Sequence, residues 1–411
     1  MTSADDPESS ASRPVRVADL RWIEQRFAMP TYPRSGVEFV RGEGCSLWDS
    51  EGREYLDLFS GLSVHNAGHC NPRIVEAISE QAATIAGVSN LFYSEPAMRL
   101  TERLVESSLG GRAFLCNSGA EANECAIKLV RRQAHGRGIE RPEIVVLDFA
   151  FHGRTLAALS ATPRLAREDL FGPLPAGFVP VPRDDPAALR AAVNRNTAAV
   201  MLEPIQGESG VHPISDEMLI AAREACDEVG ALLVLDEIQT GMGRTGTLWA
   251  YEATPVTPDV MTSAKALGGG LPVGACVIAP RVGEGLRLGE HGSTFAGGPI
   301  CARAALAALA IISDPALLAG VVERGDEIRT ALAGNPAVTG IRGKGLMLGV
   351  ALAEDVTASE VAAAALAEGL VVNAPNPETI RLLPPLTITA EEVGTGIKRL
   401  EAALRTVAQA T

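Results

Sequence analysis

From Arg112 onward, apolar runs of strand length alternate with segments of helical spacing, and this alternation constrains the fold more than any other feature. The runs fall at roughly 112–116, 143–148, 198–203, 231–236, 259–262 and 274–279, and helices are expected to begin near Glu121, Pro186, Asp216 and Pro299. Strands joined by helical crossovers pair in parallel and are covered on both faces. The pattern predicts an α/β fold with a doubly wound, mostly parallel sheet. In such sheets ligands bind beyond the carboxyl ends of the strands, so the residues that end the runs are the ones to inspect.

At 411 residues the chain exceeds what one hydrophobic core usually serves. A large domain is expected over 71–314 and a smaller α+β domain over 315–411, with 16–70 as an N-terminal arm that contributes to the small domain. Residues 1–15, rich in Ser, Asp and Ala, are expected to form a disordered tail. Within the arm, Ala28-Met29-Pro30 should break a first helix. Two short strands should flank the turn Asp49-Ser50-Glu51-Gly52. Past residue 314 the Ala- and Glu-rich helical spacing is interrupted by strands near 346–353 and 380–383, and a final helix begins at Glu391.

A formal net charge of −14 argues against nucleic acid or an anionic membrane as partner. No apolar run reaches membrane-span length. Seven scattered cysteines without a CxxC pair offer no disulfide framework and no metal site, and they fit a reduced cytoplasm.

The chemistry concentrates at the run ends. Asp236 closes the fourth run, in Leu235-Asp236-Glu237-Ile238-Gln239-Thr240-Gly241. Lys265 follows the fifth, between small residues and the triplet Gly268-Gly269-Gly270. A lysine able to form a Schiff base, with a carboxylate to hold a pyridinium nitrogen protonated, is what pyridoxal 5′-phosphate requires. Taken singly, the two are equally a surface lysine and a capping aspartate. Ser118, Gly119 and Ala120 open a helix whose N-terminal amides suit a phosphate, although Ser118 with Glu121 is also the spacing of a capping box. Phe151 could stack on a ring and Arg154 could fork a carboxylate. Glu203 and Glu208 follow the third run. The loop His291-Gly292-Ser293-Thr294-Phe295 carries hydroxyls, and Arg381 is a charge inside an apolar strand, which calls for a carboxylate partner.

Taken in order, the motifs at 117–123, 151–155, 203–208, 235–241 and 243–246, with Lys265 and 293–295, resemble the class III, or ω-amino-acid, branch of fold type I pyridoxal-phosphate aminotransferases. The resemblance runs from about Tyr32 to Leu404 and is closest to members that act on N2-acetylornithine. It implies a transferase that passes an ω-amino group to 2-oxoglutarate. The partners implied are small amino and 2-oxo acids, together with a second copy of the chain in a cytoplasmic homodimer with shared active sites. Ornithine, succinylornithine or 4-aminobutyrate remain alternative donors, and an aminomutase or epimerase is an alternative reaction. The implied roles are Lys265 as Schiff-base lysine and proton carrier, Asp236 on the ring nitrogen and Gln239 on the ring hydroxyl. Phe151 would lie against the ring, and Ser118, Gly119 and Ala120 would hold the phosphate, with Thr294 of the second subunit. Arg154 and Ser293 would contact the acylated donor, and Arg381 the α-carboxylate; apart from the resemblance, Glu208, in the loop after the third run, has the charge and place to mask Arg381. Ala296-Gly297-Gly298-Pro299 and Ser209 depart from the branch's usual residues at those places.

Overall fold

The computed structural model describes residues 17–410, so the expected tail at 1–15 lies outside the described residues. Seven strands form the central sheet. Their order is Arg112–Cys116, Gly274–Ile278, Val260–Ser263, Leu232–Asp236, Thr197–Leu202, Glu143–Leu147 and Phe178–Val181. All pairings are parallel except the two made by Gly274–Ile278, which runs antiparallel to both neighbours. Alternate residues serve opposite faces, as the strand period requires. Ile144, Val146, Met201 and Val234 pack with Cys125, Ile127 and Val130 of the helix Gly119–Gly136. Val145, Leu147, Val200 and Leu235 pack with Met218, Ala222 and Cys226 of the helix Asp216–Val229.

The outermost strand, Phe178–Val181, is not apparent in the sequence pattern. It carries Pro180, and a residue without an amide hydrogen is tolerated in a sheet chiefly at an edge. The helix expected near Glu121 starts two residues earlier, because Ser118 is its cap and its Oγ accepts from the Glu121 amide at 3.2 Å. The first helix, Val17–Phe27, stops where Ala28-Met29-Pro30 was expected to stop it.

The N-terminal arm pairs with the C-terminal part of the chain. Phe39–Glu43, Ser46–Asp49 and Glu54–Asp57 form an antiparallel meander, and Leu370–Val371 joins it in parallel beside Glu54–Asp57. A second antiparallel sheet has the order Val338–Lys344, Met347–Leu352, Thr379–Leu382 and Asn373–Asn376. Arg244, fully buried, ties these parts to the large sheet. It donates to Ser63 Oγ at 2.8 Å, to the Leu346 carbonyl at 3.0 Å, to the Pro384 carbonyl at 2.6 Å, and to Asn66 Oδ1. With no carboxylate bonded to it, burial draws this guanidinium down to about 9. Among the described residues no single helix is long and apolar enough to cross a membrane.

Candidate active site

Strand register brings the acids and the lysine to one edge. Asp236 pairs with Thr262, and Leu235 pairs with Leu202, so Asp236 and Glu203 leave neighbouring strands at the same level. Asp236 is nearly buried and held at three points. Its Oδ2 accepts from Asn123 Nδ2 at 2.7 Å and from His152 Nδ1 at 2.8 Å, and its Oδ1 accepts from the Ile238 amide at 3.0 Å. Asn123 is itself fixed, because its Oδ1 accepts from Thr262 Oγ1 at 2.7 Å. A carboxylate held this way keeps one orientation, with helix, loop and strand all contributing to the hold.

Lys265 lies two residues beyond the strand Val260–Ser263 with φ +47°, a left-handed backbone that a residue with a Cβ rarely adopts. Such strain concentrates at functional positions. Burial draws its ammonium below the ordinary lysine value, against the opposing charge of Glu208 and with the help of Arg381. Glu203 is pushed well above the usual carboxylate range by its burial and by Asp236, and it accepts from the Phe151 amide at 3.2 Å.

A cavity of about 250 Å³ opens over this edge. Eight of the twelve candidate residues line it: Gly119, Ala120, Phe151, Arg154, Glu208, Asp236, Gln239 and Lys265. His152, Gly153, Glu203 and Ile238 complete the wall. A Cβ at position 119 would sit 2.8 Å from Ile238 Cδ1, so any larger residue there would force the Ile238 side chain to shift. Arg154 is exposed at the rim, its guanidinium 5.4 Å from the Phe151 ring centre.

Arg381 is the partnered buried charge that the sequence called for. It is 1% exposed and donates to Glu208 Oε1 at 2.8 Å and to the Gly207 carbonyl at 3.0 Å. Burial alone would raise Glu208, but the Arg381 and Lys265 charges and the hydrogen bonds from Arg381 and Gln239 leave it below the ordinary carboxylate value. Ser293 and Thr294 are not brought into this cavity. They line a separate groove of about 750 Å³ with Asn90, Met98 and Leu288, where Ser293 Oγ accepts from Asn117 Nδ2 at 2.9 Å.

Asn123, His152, Glu203 and Asn373 were assigned no role from sequence. Asn123 stands one helical turn after Gly119, and that spacing was a usable signal. His152 carries no such sign, because its contact with Asp236 spans 84 positions.

The arrangement fits one cofactor class: a lysine and an oriented carboxylate lining one cavity, an aromatic side chain in its wall, and a helix start with small residues at its edge. These are the requirements of a pyridoxal-phosphate enzyme. The comparisons agree. The family model for class-III aminotransferases matches residues 30–404. The acetylornithine aminotransferase of Xylella fastidiosa strain 9a5c is 46% identical over 390 residues, covering 92% of this chain and 95% of that one. The solved ornithine aminotransferase of Toxoplasma gondii ME49 superposes with a TM-score of 0.90 at 31% identity, covering 96% of both chains. For N-acetylornithine aminotransferase of Stenotrophomonas maltophilia K279a the TM-score is 0.81 at 40% identity, covering 92% of this chain and 98% of that one. The chain belongs to the class-III aminotransferases, and its cofactor is pyridoxal 5′-phosphate.

Proposed function

We propose that the protein transfers the ω-amino group of N2-acetylornithine, or a close relative, to 2-oxoglutarate. The products are N-acetylglutamate 5-semialdehyde and glutamate, a step that serves arginine biosynthesis. The observation that carries this reading is the Glu208–Arg381 pair at 2.8 Å, whose Glu208 lines the lysine cavity. A pocket that accepts glutamate by its α-amine needs a cation for the α-carboxylate. The same pocket must hide that cation when the donor presents its far amine.

The bound cofactor supplies the electron sink and carries the amino group between the two halves of the reaction. Lys265 would hold the cofactor, and its Nζ would carry the proton to and from the substrate's reacting carbon. Asp236, held by Asn123 and His152, keeps the ring nitrogen protonated. Gln239 would take the ring hydroxyl, Phe151 would wall the ring, and the Ser118–Ala120 helix start would take the phosphate. Arg154 holds the acylated donor, and Ser293, which lies outside its own chain's cavity, would reach the donor only from the second copy. Arg381 holds the α-carboxylate of glutamate and 2-oxoglutarate.

The donor assignment is tested by single-turnover bleaching of the cofactor colour with acetylornithine, ornithine, acetyllysine and 4-aminobutyrate. Acetylornithine is expected to react fastest. A faster reaction with free ornithine or 4-aminobutyrate overturns the acylated donor.

The proposal extends to a cytoplasmic homodimer with shared sites. In support, Leu91, Phe92, Tyr93, Leu288 and Phe295 are strongly exposed around the groove that holds Ser293 and Thr294. Exposed apolar side chains of this kind favour an interface, and a second copy is the proposed occupant because Thr294 does not line its own chain's cavity. Mixing inactive Lys265→Ala chains with inactive Thr294→Ala chains should restore activity through hybrids with one intact site. No recovery after demonstrated subunit exchange would place Thr294 within its own subunit's chemistry.

A further inference from the structure

We infer that Asn373 is a positioning residue that reserves one edge of Arg381 for a substrate carboxylate. The inference rests on the proposed role of Arg381 as carboxylate site. Asn373 stands directly opposite Arg381 in antiparallel register, between the strands Asn373–Asn376 and Thr379–Leu382. Its Oδ1 accepts from Arg381 Nε at 3.1 Å and from Nη2 at 2.7 Å. The orientation of the amide is fixed by its neighbour, since a guanidinium offers only donors.

A guanidinium has five N–H donors in a rigid plane. Asn373 takes two of them, along the side edge. The Gly207 carbonyl takes one from Nη1 at 3.0 Å. Two donors remain, one on each terminal nitrogen, and a carboxylate that reaches both can be forked by them. Glu208 Oε1 occupies the Nη1 position at 2.8 Å, with a longer 3.5 Å contact from Nη1 to Gln239 Oε1. When Glu208 withdraws, Arg381 keeps its bonds to Asn373 and Gly207 and does not turn. The edge it presents is the one Glu208 vacated.

The choice of an amide matters as much as its place. Asn373 holds two donors without adding charge, so Arg381 keeps its full attraction for an incoming carboxylate. An aspartate would fill the same space and satisfy the same donors, but it would neutralise the arginine permanently. Asn373 is therefore a specificity determinant for the acceptor half-reaction and not for the donor half, in which Glu208 already covers Arg381.

The test uses holoenzyme of wild type, Asn373→Asp, Asn373→Ala and Arg381→Ala. Glutarate, a dicarboxylate that cannot react, is titrated by calorimetry, and single-turnover rates are measured for each half-reaction. Asn373→Asp is nearly isosteric, which protects the fold. It should weaken glutarate binding and raise the KM for 2-oxoglutarate about 10- to 100-fold, the range of one charge-assisted hydrogen-bonded contact. The acetylornithine half should change by less than about threefold, within the usual scatter of such contacts. Asn373→Ala should raise the same KM less than the aspartate does, because it frees the guanidinium without neutralising it. Unaltered glutarate affinity in Asn373→Asp, alongside its loss in Arg381→Ala, overturns the role of Asn373 alone. Equal losses in both halves, with a lowered melting temperature, also overturn it and make Asn373 a strand stitch. Unaltered glutarate affinity in Arg381→Ala overturns the assignment of Arg381 itself.

Discussion

Lys265→Ala is expected to bind pyridoxal phosphate only through non-covalent contacts and to lose turnover. Proton transfer by a positioned group contributes about 100- to 10,000-fold. The variant also loses the covalent anchor, so its rate should fall by more than about 100-fold, the lower bound of that range. The geometry gives the reason: Lys265 lines the cavity with Asp236 and Glu208, on a strained backbone with φ +47°. Its lowered pKa means that the amine sheds its proton at a lower pH than an ordinary lysine, so the nucleophile is available nearer neutrality. Two readouts besides rate apply. Borohydride should fix the cofactor to wild type and not to the variant, and peptide mapping should place the adduct on Lys265. An adduct on Lys128, Lys344 or Lys398 would sink the assignment.

The second large effect separates the two half-reactions. Glu208→Ala leaves Arg381 uncovered, with Asn373 and the Gly207 carbonyl as its close remaining partners. Breaking one side of a buried ion pair costs about 3–5 kcal/mol. Glu208 is a third exposed while Arg381 is buried, so the lower end applies, or on the order of a hundredfold in rate. That loss should fall on the acetylornithine half, because a bare Arg381 draws the donor's α-carboxylate to the wrong end of the pocket. The glutamate half should be spared or improved. Arg381→Ala should show the opposite pattern and cripple the 2-oxoglutarate half. Matched losses in both halves for Glu208→Ala would leave Glu208 with a structural role only.

The sheet was legible because buried parallel strands are written as short apolar runs, and six of its seven strands appear that way. Phe178–Val181 did not, because an edge strand with a proline needs neither a continuous run nor a full set of donors. Val338–Lys344 was missed for a related reason: it holds two glycines, and its side chains are only partly buried. In the site, residues at the carboxyl ends of runs could be read because topology sends them to one edge. Asn123 could have been read from its helical spacing. His152 and Asn373 could not, because their importance lies in what they touch: Asp236 at 84 positions' separation, and Arg381 across a hairpin whose register shifts between Asn373 and Asn376. Ser293 and Thr294 were legible as a motif, yet one chain alone gives them no place in its cavity.

The pairing of the N-terminal arm with the C-terminal part of the chain sets the order in which the molecule can be made. Leu58 receives the Leu383 amide at 2.8 Å, Ser60 Oγ donates to the Leu383 carbonyl at 2.6 Å across 323 positions, and Glu54–Asp57 borders Leu370–Val371. On a ribosome adding about 5–20 residues per second, Asp236 and Lys265 emerge many seconds before the strand that carries Arg381. The cofactor cradle can therefore assemble while the meander of residues 39–57 still waits for its neighbour, with an open edge and uncovered apolar surface. Contacts this distant in sequence slow folding and prolong the interval in which nascent chains associate wrongly. Arg381, the residue proposed to take the acceptor's carboxylate, is synthesised after the cradle, and a chain released between the two would hold the cradle without it.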